Sequence, residues 1–378
     1  MIIAIDIRNI GKQRTGSEVV VLELTKNILE LDKKNEYLLL TDTDDEAVLK
    51  NIEQDLNLSD KKNARIVPLK AKNKFIWAAW AMPNFFRKNK IDIFHTEYIL
   101  PFFIPRSVKV VTHIHDVSFK VYRQMILKKD LFFLDLLIPR SIRRSDKLVA
   151  VSQFTKDEIL KFYPQAKDKV EVVFNSINLI AQEPTEELKG AIRKKYGLPE
   201  KFILYIGTLQ PRKNIPVLVS AYAKIKDRIP GVKLVLAGDR RAHNFDDKIQ
   251  AVLLKNDLVA DVCFPGFIDT KDKSIVYRMA QVFVFPSFYE GFGIPILEAM
   301  SVGTPVIASD IAPHREVAEG AALFFNPIAK EELAVQIAKM VNDCVLQDDF
   351  AIRGKKQAQK FSWRSSAEKM VAIFESFD

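Results

Sequence analysis

Short apolar runs alternate with longer helical patterns along almost the whole of this chain, and few folds accept such an order. In the first half the runs are Ile2 to Ile7, Tyr37 to Leu40, Arg65 to Leu69, Ile91 to Phe94, Val108 to His113, Leu148 to Val151 and Val170 to Phe174. Helical patterns such as Glu18 to Leu31 and Phe154 to Phe162 separate several of them. A second series follows at Phe202 to Ile206, Lys233 to Ala237, Val262 to Phe264, Val282 to Phe285, Thr304 to Ala308 and Ala322 to Phe325. Bulky runs of this length read as strands buried on both faces, and their alternation with helices predicts parallel sheets wrapped by helices, an α/β class. At 378 residues the chain exceeds the size at which one core stops growing, so two domains are expected.

Glycine distinguishes the two halves. Of 13 glycines, only Gly11 and Gly16 precede residue 190, whereas eight lie from Gly207 to Gly320. Backbone that approaches a ligand closely is therefore expected mainly in the second half.

Within that half, the run Val282 to Phe285 breaks at Pro286 into Ser287-Phe288-Tyr289-Glu290-Gly291-Phe292-Gly293, and a helix is predicted from Ile294 to about Val302 with Pro295 in its first turn. A strand, loop and helix in this order present free backbone N–H groups and the positive end of a helix dipole, which suit a phosphate. Glu290 in the loop and Glu298 inside the helix flank that end. Carboxylates accept hydrogen bonds only, so they suit the hydroxyls of a sugar or ribose. Either glutamate alone could be a solvated surface residue; the glycines and the eight-residue spacing favour a site. Upstream, Gly207-Thr208-Leu209-Gln210-Pro211-Arg212-Lys213-Asn214 places a planar fork and a point charge at a helix entrance, both matched to a diphosphate.

Two strand ends in the first half carry polar residues, where ligands bind in parallel sheets. The loop after Ile7, Arg8 to Ser17, holds Gly11 and Gly16 and leads into a helix; its stretch Gly11-Lys12-Gln13-Arg14-Thr15 could equally be a mobile basic loop. The strand from Val108 ends in Thr112-His113-Ile114-His115-Asp116. A metal site and a structural histidine are both open to this cluster, and a neighbouring carboxylate can fix an imidazole's tautomer.

The Glu290 to Glu298 stretch resembles the donor-site signature of glycosyltransferase family 4, retaining enzymes of GT-B architecture, in which two glutamates eight apart flank Gly-Phe-Gly. The Gly207 to Asn214 stretch resembles the second donor motif of the same family. The resemblance implies two Rossmann-like domains facing each other across a cleft: an acceptor-binding domain at 1–178, a linker at 179–197, a nucleotide-sugar-binding domain at 198–360, and a C-terminal helix within 361–378 crossing back onto the first. It implies catalytic roles for His115, Asp116 and Glu290. It implies donor contacts from Gly16, Gly207, Arg212, Lys213, Gly266, Phe267, Phe292, Gly293, Ile294 and Glu298, with the loop Gly266 to Ile268 facing the base. The implied reaction moves a sugar, with GDP-mannose favoured as donor, from a nucleotide diphosphate to a glycan or lipid-linked acceptor in polysaccharide or glycolipid synthesis. A non-hydrolysing sugar-nucleotide epimerase and a non-catalytic nucleotide-binding scaffold are the alternatives. No cofactor and no metal are expected: Asp42-Thr43-Asp44 lies far in sequence from the donor motifs, and Gly291-Phe292-Gly293 lacks the third glycine of a dinucleotide fingerprint.

Composition narrows the setting. The N-terminus has no basic lead and no run of 18 apolar residues occurs, so neither a signal peptide nor a spanning helix is expected. Two cysteines, Cys263 and Cys344, cannot build a disulfide framework, which favours the cytoplasm. Residues 51–150 contain 19 Lys and Arg against 9 Asp and Glu, a surplus of 10, while the whole chain (57 against 48) is only +9. Basic and aromatic residues do not interleave as in an RNA-binding motif, so nucleic acid is not an expected partner. The cations around Leu131 to Ile138 suit instead peripheral contact with the anionic inner face of the plasma membrane.

Overall fold

The computed structural model describes residues 1–12, 16–178, 183–241 and 244–378. The chain divides into two compact units. Unit 1 comprises Met1–Val121, Lys128–Ser176 and Ser362–Asp378; unit 2 comprises Tyr122–Leu127 and Ile177–Phe361.

Unit 1 is built on a seven-stranded sheet: β1 Ile2–Asp6, β2 Glu36–Thr41, β3 Ala64–Pro68, β4 Ile93–Glu97, β5 Lys109–Ile114, β6 Lys147–Ala150 and β7 Val170–Val172. Their order is β3-β2-β1-β4-β5-β6-β7 and every pairing is parallel. The order reverses between β1 and β4, which opens a crevice beyond their carboxyl ends. Burial on both faces explains the continuous apolar runs: Ile3, Ile5, Leu39, Phe94, Val111 and Val149 are all inaccessible or nearly so. The C-terminal helix Trp363–Glu375 belongs to this unit. It lies against helix Gly16–Leu31, Ser366 Oγ donates to the Phe174 carbonyl at 2.6 Å, and the ring of Phe374 meets His95.

Unit 2 has a six-stranded sheet: β8 Lys201–Ile206, β9 Val232–Ala237, β10 Val262–Cys263, β11 Val282–Phe285, β12 Val306–Ser309 and β13 Leu323–Phe325. The order is β10-β9-β8-β11-β12-β13, again wholly parallel, with the reversal between β8 and β11. The loops after these two strands are the ones that carry Arg212 and Glu290. Where the loops after β8 and β9 approach, a Cβ on Gly238 would lie 2.2 Å from the Gly207 carbonyl oxygen, so only glycine fits.

Two segments fall differently from the sequence-based division. The expected linker 179–197 is partly outside the described residues, at 179–182. Its remainder belongs to unit 2, where helix Glu186–Tyr196 is tied down by Lys195 and Tyr196 bonding Asp272 at 2.6 and 2.7 Å. Tyr122–Leu127, assigned by sequence to the first domain, groups with unit 2: Tyr122 stacks on Phe288, and the Met125 carbonyl accepts from Asn244 Nδ2 at 2.9 Å. Such side-chain anchoring leaves no periodic signal in a short loop.

Candidate active site

In unit 2, β8 ends at Gly207, and the chain turns through the 3-10 segment Pro211–Lys213 into helix Ile215–Ile225. Asn214, at φ 56, makes that turn, and its Nδ2 donates to the carbonyls of Pro286 and Pro327 at 3.0 and 2.8 Å. Phe288 N–H donates to the Arg212 carbonyl at 2.9 Å. The β8 and β11 loops are thereby stitched together, and their side chains converge. Lys213 Nζ lies 2.5 Å from Glu290 Oε1; Arg212 Nη1 lies 3.2 Å from Oε2 and donates to the Tyr289 carbonyl at 2.7 Å.

Glu290 is only 8% exposed. Burial pushes its carboxyl upward, but Lys213 and Arg212 outweigh that and hold it at about 2. It is therefore an anion flanked by two cations, a cluster of net positive charge that still suits a phosphorylated ligand. Beside it, helix Ile294–Ser301 starts after Gly293, whose φ of +121 favours glycine; Pro295 carries no N–H, and the Ile296 N–H donates to the Gly293 carbonyl at 2.9 Å. Ile294 is the first helical residue, and the buried ring of Phe292 packs edge-on against Phe361. Glu298, inside the helix, accepts from Tyr277 OH at 2.8 Å and Lys273 Nζ at 3.1 Å. Its carboxylate is thus oriented in advance and retains free lone pairs. Gly266, at φ +79, and the exposed Phe267 lie in the loop after β10.

In unit 1 the carboxyl ends of β1, β4 and β5 bring together Asp6, Arg8, Asn9, Glu97 and His115. The β4–β5 register sets Glu97 beside His113, and His115 lies two residues on, on the same side. His115 Nε2 is 2.5 Å from Glu97 Oε1, while Asn9 Nδ2 donates to Glu97 Oε2 at 2.5 Å. Burial would lower the imidazole's pKa, but Glu97, helped by Asp116, raises it above the ordinary 6.5. His113 stacks on His115 at 4.8 Å between centroids and is itself pushed far down by burial. Asp6 pairs with Arg8 at 2.8 Å, and the Arg8 guanidinium sits 3.4 Å above the Trp77 ring.

This corrects the expectation that the neighbouring Asp116 fixes the His115 tautomer. The carboxylate that fixes the His115 ring is Glu97; Asp116 Oδ1 instead accepts from Ser118 N at 2.8 Å, in a turn. Glu97 and Asn9 were not singled out from the sequence. The available signal was a charged residue three positions beyond the apolar run Ile91 to Phe94, since strand ends line the crevice. Gly16 opens helix Gly16–Leu31, but Gln13, Arg14 and Thr15 of its loop lie outside the described residues. Lys12, from the stretch read as a mobile basic loop, is paired with Asp42 at 2.8 Å. Among the described residues no three His, Cys, Asp or Glu side chains gather into a group able to hold a metal ion.

Two doubly wound units, one bringing two cations and a buried carboxylate to the start of a helix at its switch point, define a class of protein whose ligands bind beyond the carboxyl ends of the strands. Residues 14–180 match the family described as Glycosyltransferase Family 4, and residues 189–357 match Glycosyl transferases group 1. O-antigen chain mannosyltransferase B of Escherichia coli is 30% identical over 78% of this chain and 76% of its own length. O-antigen chain mannosyltransferase RfbU of Salmonella typhimurium is 29% identical over 70% and 69%. The chain belongs to this glycosyltransferase family. Its fold is the GT-B architecture: sucrose-phosphate synthase from Thermosynechococcus elongatus superposes with a TM-score of 0.76 at 20% identity, covering 99% of this chain and 98% of that one.

Proposed function

We propose that this glycosyltransferase moves mannose from GDP-mannose to a hydroxyl of a glycan or lipid-linked acceptor in cell-surface polysaccharide synthesis, with retention at the anomeric carbon and without a metal. The observation that carries the donor reading is the pairing of buried Glu290 with Lys213 and Arg212 beside the N-terminus of helix Ile294–Ser301. Mannose is favoured by the two relatives named as O-antigen chain mannosyltransferases.

In this scheme the bond from the anomeric carbon to the diphosphate breaks, and the acceptor oxygen bonds to that carbon. The leaving diphosphate carries away the electron pair and receives the acceptor's proton. Arg212, Lys213 and the helix N-terminus stabilise the developing charge. Lone pairs of Glu290 take sugar hydroxyls, and those of Glu298 take the ribose. His115, held in place by Glu97, is assigned to the transferred sugar.

We assign the protein to the anionic inner surface of the membrane. No helix among the described residues is long and apolar enough to cross a bilayer. Helix Lys128–Arg144, however, turns Phe132, 65% exposed, together with Phe133 and Leu136 to solvent, with Lys128 and Lys129 at its start. That combination suits a surface contact.

A thermal-shift panel of GDP-mannose, UDP-glucose and their diphosphates tests the donor. Ligand at about 100 times its Kd adds roughly 2.7 kcal/mol of stability. A response to GDP-mannose supports the reading, and silence to it contradicts it.

A further inference from the structure

His314 lies in helix Ala312–Ala318, after β12, and is fully buried. Its Nδ1 faces the Ser309 carbonyl at 3.0 Å. A carbonyl oxygen only accepts, so Nδ1 carries the hydrogen. Burial pushes the imidazole down to about 4, with Glu290 and the Ser309 bond opposing the fall and Lys213 adding to it. The ring is therefore neutral, and Nε2 holds a lone pair. Among the described residues that atom has no hydrogen-bond partner, although buried polar atoms seldom go unpaired.

The ring's position says what would pair with it. Cδ2, bonded to Nε2, lies 3.6 Å from where a Cβ on Gly293 would stand, and the imidazole packs on Phe285 at 5.2 Å between centroids. The Nε2 side of the ring thus lies near the residue that caps helix Ile294–Ser301, within the field of both Glu290 and Lys213. A phosphate oxygen, itself an acceptor, would meet the Nε2 lone pair with repulsion. A hydroxyl, which donates, satisfies it.

We propose that His314 Nε2 accepts a hydrogen bond from a hydroxyl of the transferred sugar, which makes His314 a determinant of donor-sugar specificity. The proposal rests on the nucleotide-sugar reading above and adds to it a residue that distinguishes the sugar from the diphosphate.

The test is calorimetric titration of the wild type, His314→Asn and His314→Gln with whichever pair the wild type binds, GDP and GDP-mannose or UDP and UDP-glucose. Asparagine keeps an amide near Nδ1, and so the Ser309 bond, but leaves no acceptor at Nε2; glutamine returns an amide oxygen near Nε2. The expected result is a roughly three- to tenfold loss of nucleotide-sugar affinity in His314→Asn, the range for one neutral hydrogen bond. The nucleoside diphosphate should bind unchanged, and His314→Gln should recover part of the loss. Equal losses for both ligands, or none for either, overturn the proposal.

If the variants fail to fold, nitrogen-15 NMR of wild-type His314 decides the matter. Its Nε2 resonance should move on adding the nucleotide sugar and not the diphosphate; no selective movement overturns the proposal. A wild type that binds none of the four ligands overturns the donor reading and the proposal with it, whereas binding without a His314 effect overturns the proposal alone.

Discussion

Glu97 and His115 meet at 2.5 Å, Oε1 to Nε2, across adjacent parallel strands and 18 positions of sequence. One carboxylate oxygen holds the imidazole and the other is held by Asn9, so the ring has a fixed orientation before any ligand arrives. The pair has a pH signature. The His115 pKa is raised on folding, so its contribution to stability is fully present below the unfolded value near 6.5 and is lost as pH rises through the higher folded value. Glu97→Gln should remove that contribution, so its stability difference from wild type should shrink as the medium becomes alkaline. Denaturant melts of both proteins from pH 5 to 9 check this; a difference independent of pH contradicts the pairing. Buried His95 and His113, both pushed down, titrate in the opposite sense, and part of that fall is set by His115 itself.

Glu290 behaves oppositely. Its pKa falls from 4.5 to about 2 on folding, so it stabilises above the unfolded value and the benefit disappears as pH falls through the folded one. For a group this buried the shift corresponds to something on the order of 3 kcal/mol. Glu290→Gln should therefore be less stable at pH 7, and its unfolding curve should approach that of the wild type in acid.

Arg212→Ala and Lys213→Ala should each lower turnover by roughly 10² to 10³, as expected for losing one electrostatic contact to developing charge. Each cation also balances Glu290, so a loss of thermal stability should accompany the kinetic loss. Steady-state kinetics showing unchanged turnover would remove these residues from the diphosphate site.

Glu298 and Tyr277 form a second oriented pair, at 2.8 Å. Glu298→Gln should weaken binding of the nucleoside diphosphate itself, and Tyr277→Phe should do so to a smaller degree. A 2′,3′-dideoxyribose analogue should bind wild type and Glu298→Gln alike. Calorimetry giving the analogue the same preference for wild type would show that Glu298 does not hold the ribose.

The membrane assignment is tested by sedimentation with vesicles. Anionic phospholipid should carry the protein down at low salt and release it at high salt, and Phe132→Ala with Phe133→Ala should reduce the bound fraction. Protein remaining in the supernatant at low salt favours a soluble acceptor.

The alternation of apolar runs and helices was sufficient to read two parallel sheets, because strands buried on both faces leave an unbroken apolar signature. Arg212, Lys213 and Glu290 were legible as site candidates because glycines and a helix start mark their loops. Their mutual pairing was not, since it depends on β8 and β11 being neighbours across 78 positions. Glu97 escaped notice for the same reason: its partner is chosen by the β4–β5 register, and adjacency in sequence pointed to Asp116 instead. His314 gives no periodic signal at all, because a buried histidine on a short helix looks like any polar interruption.

The most direct measurement is the anomeric configuration of the product. GDP-α-mannose is incubated with a lipid-linked, mannose-terminated oligosaccharide in the presence of EDTA, and the new linkage is read by proton NMR. The account predicts an α-mannoside formed at the same rate with and without the chelator. A β-linked product, transfer that stops in EDTA, or no mannose transfer would contradict it.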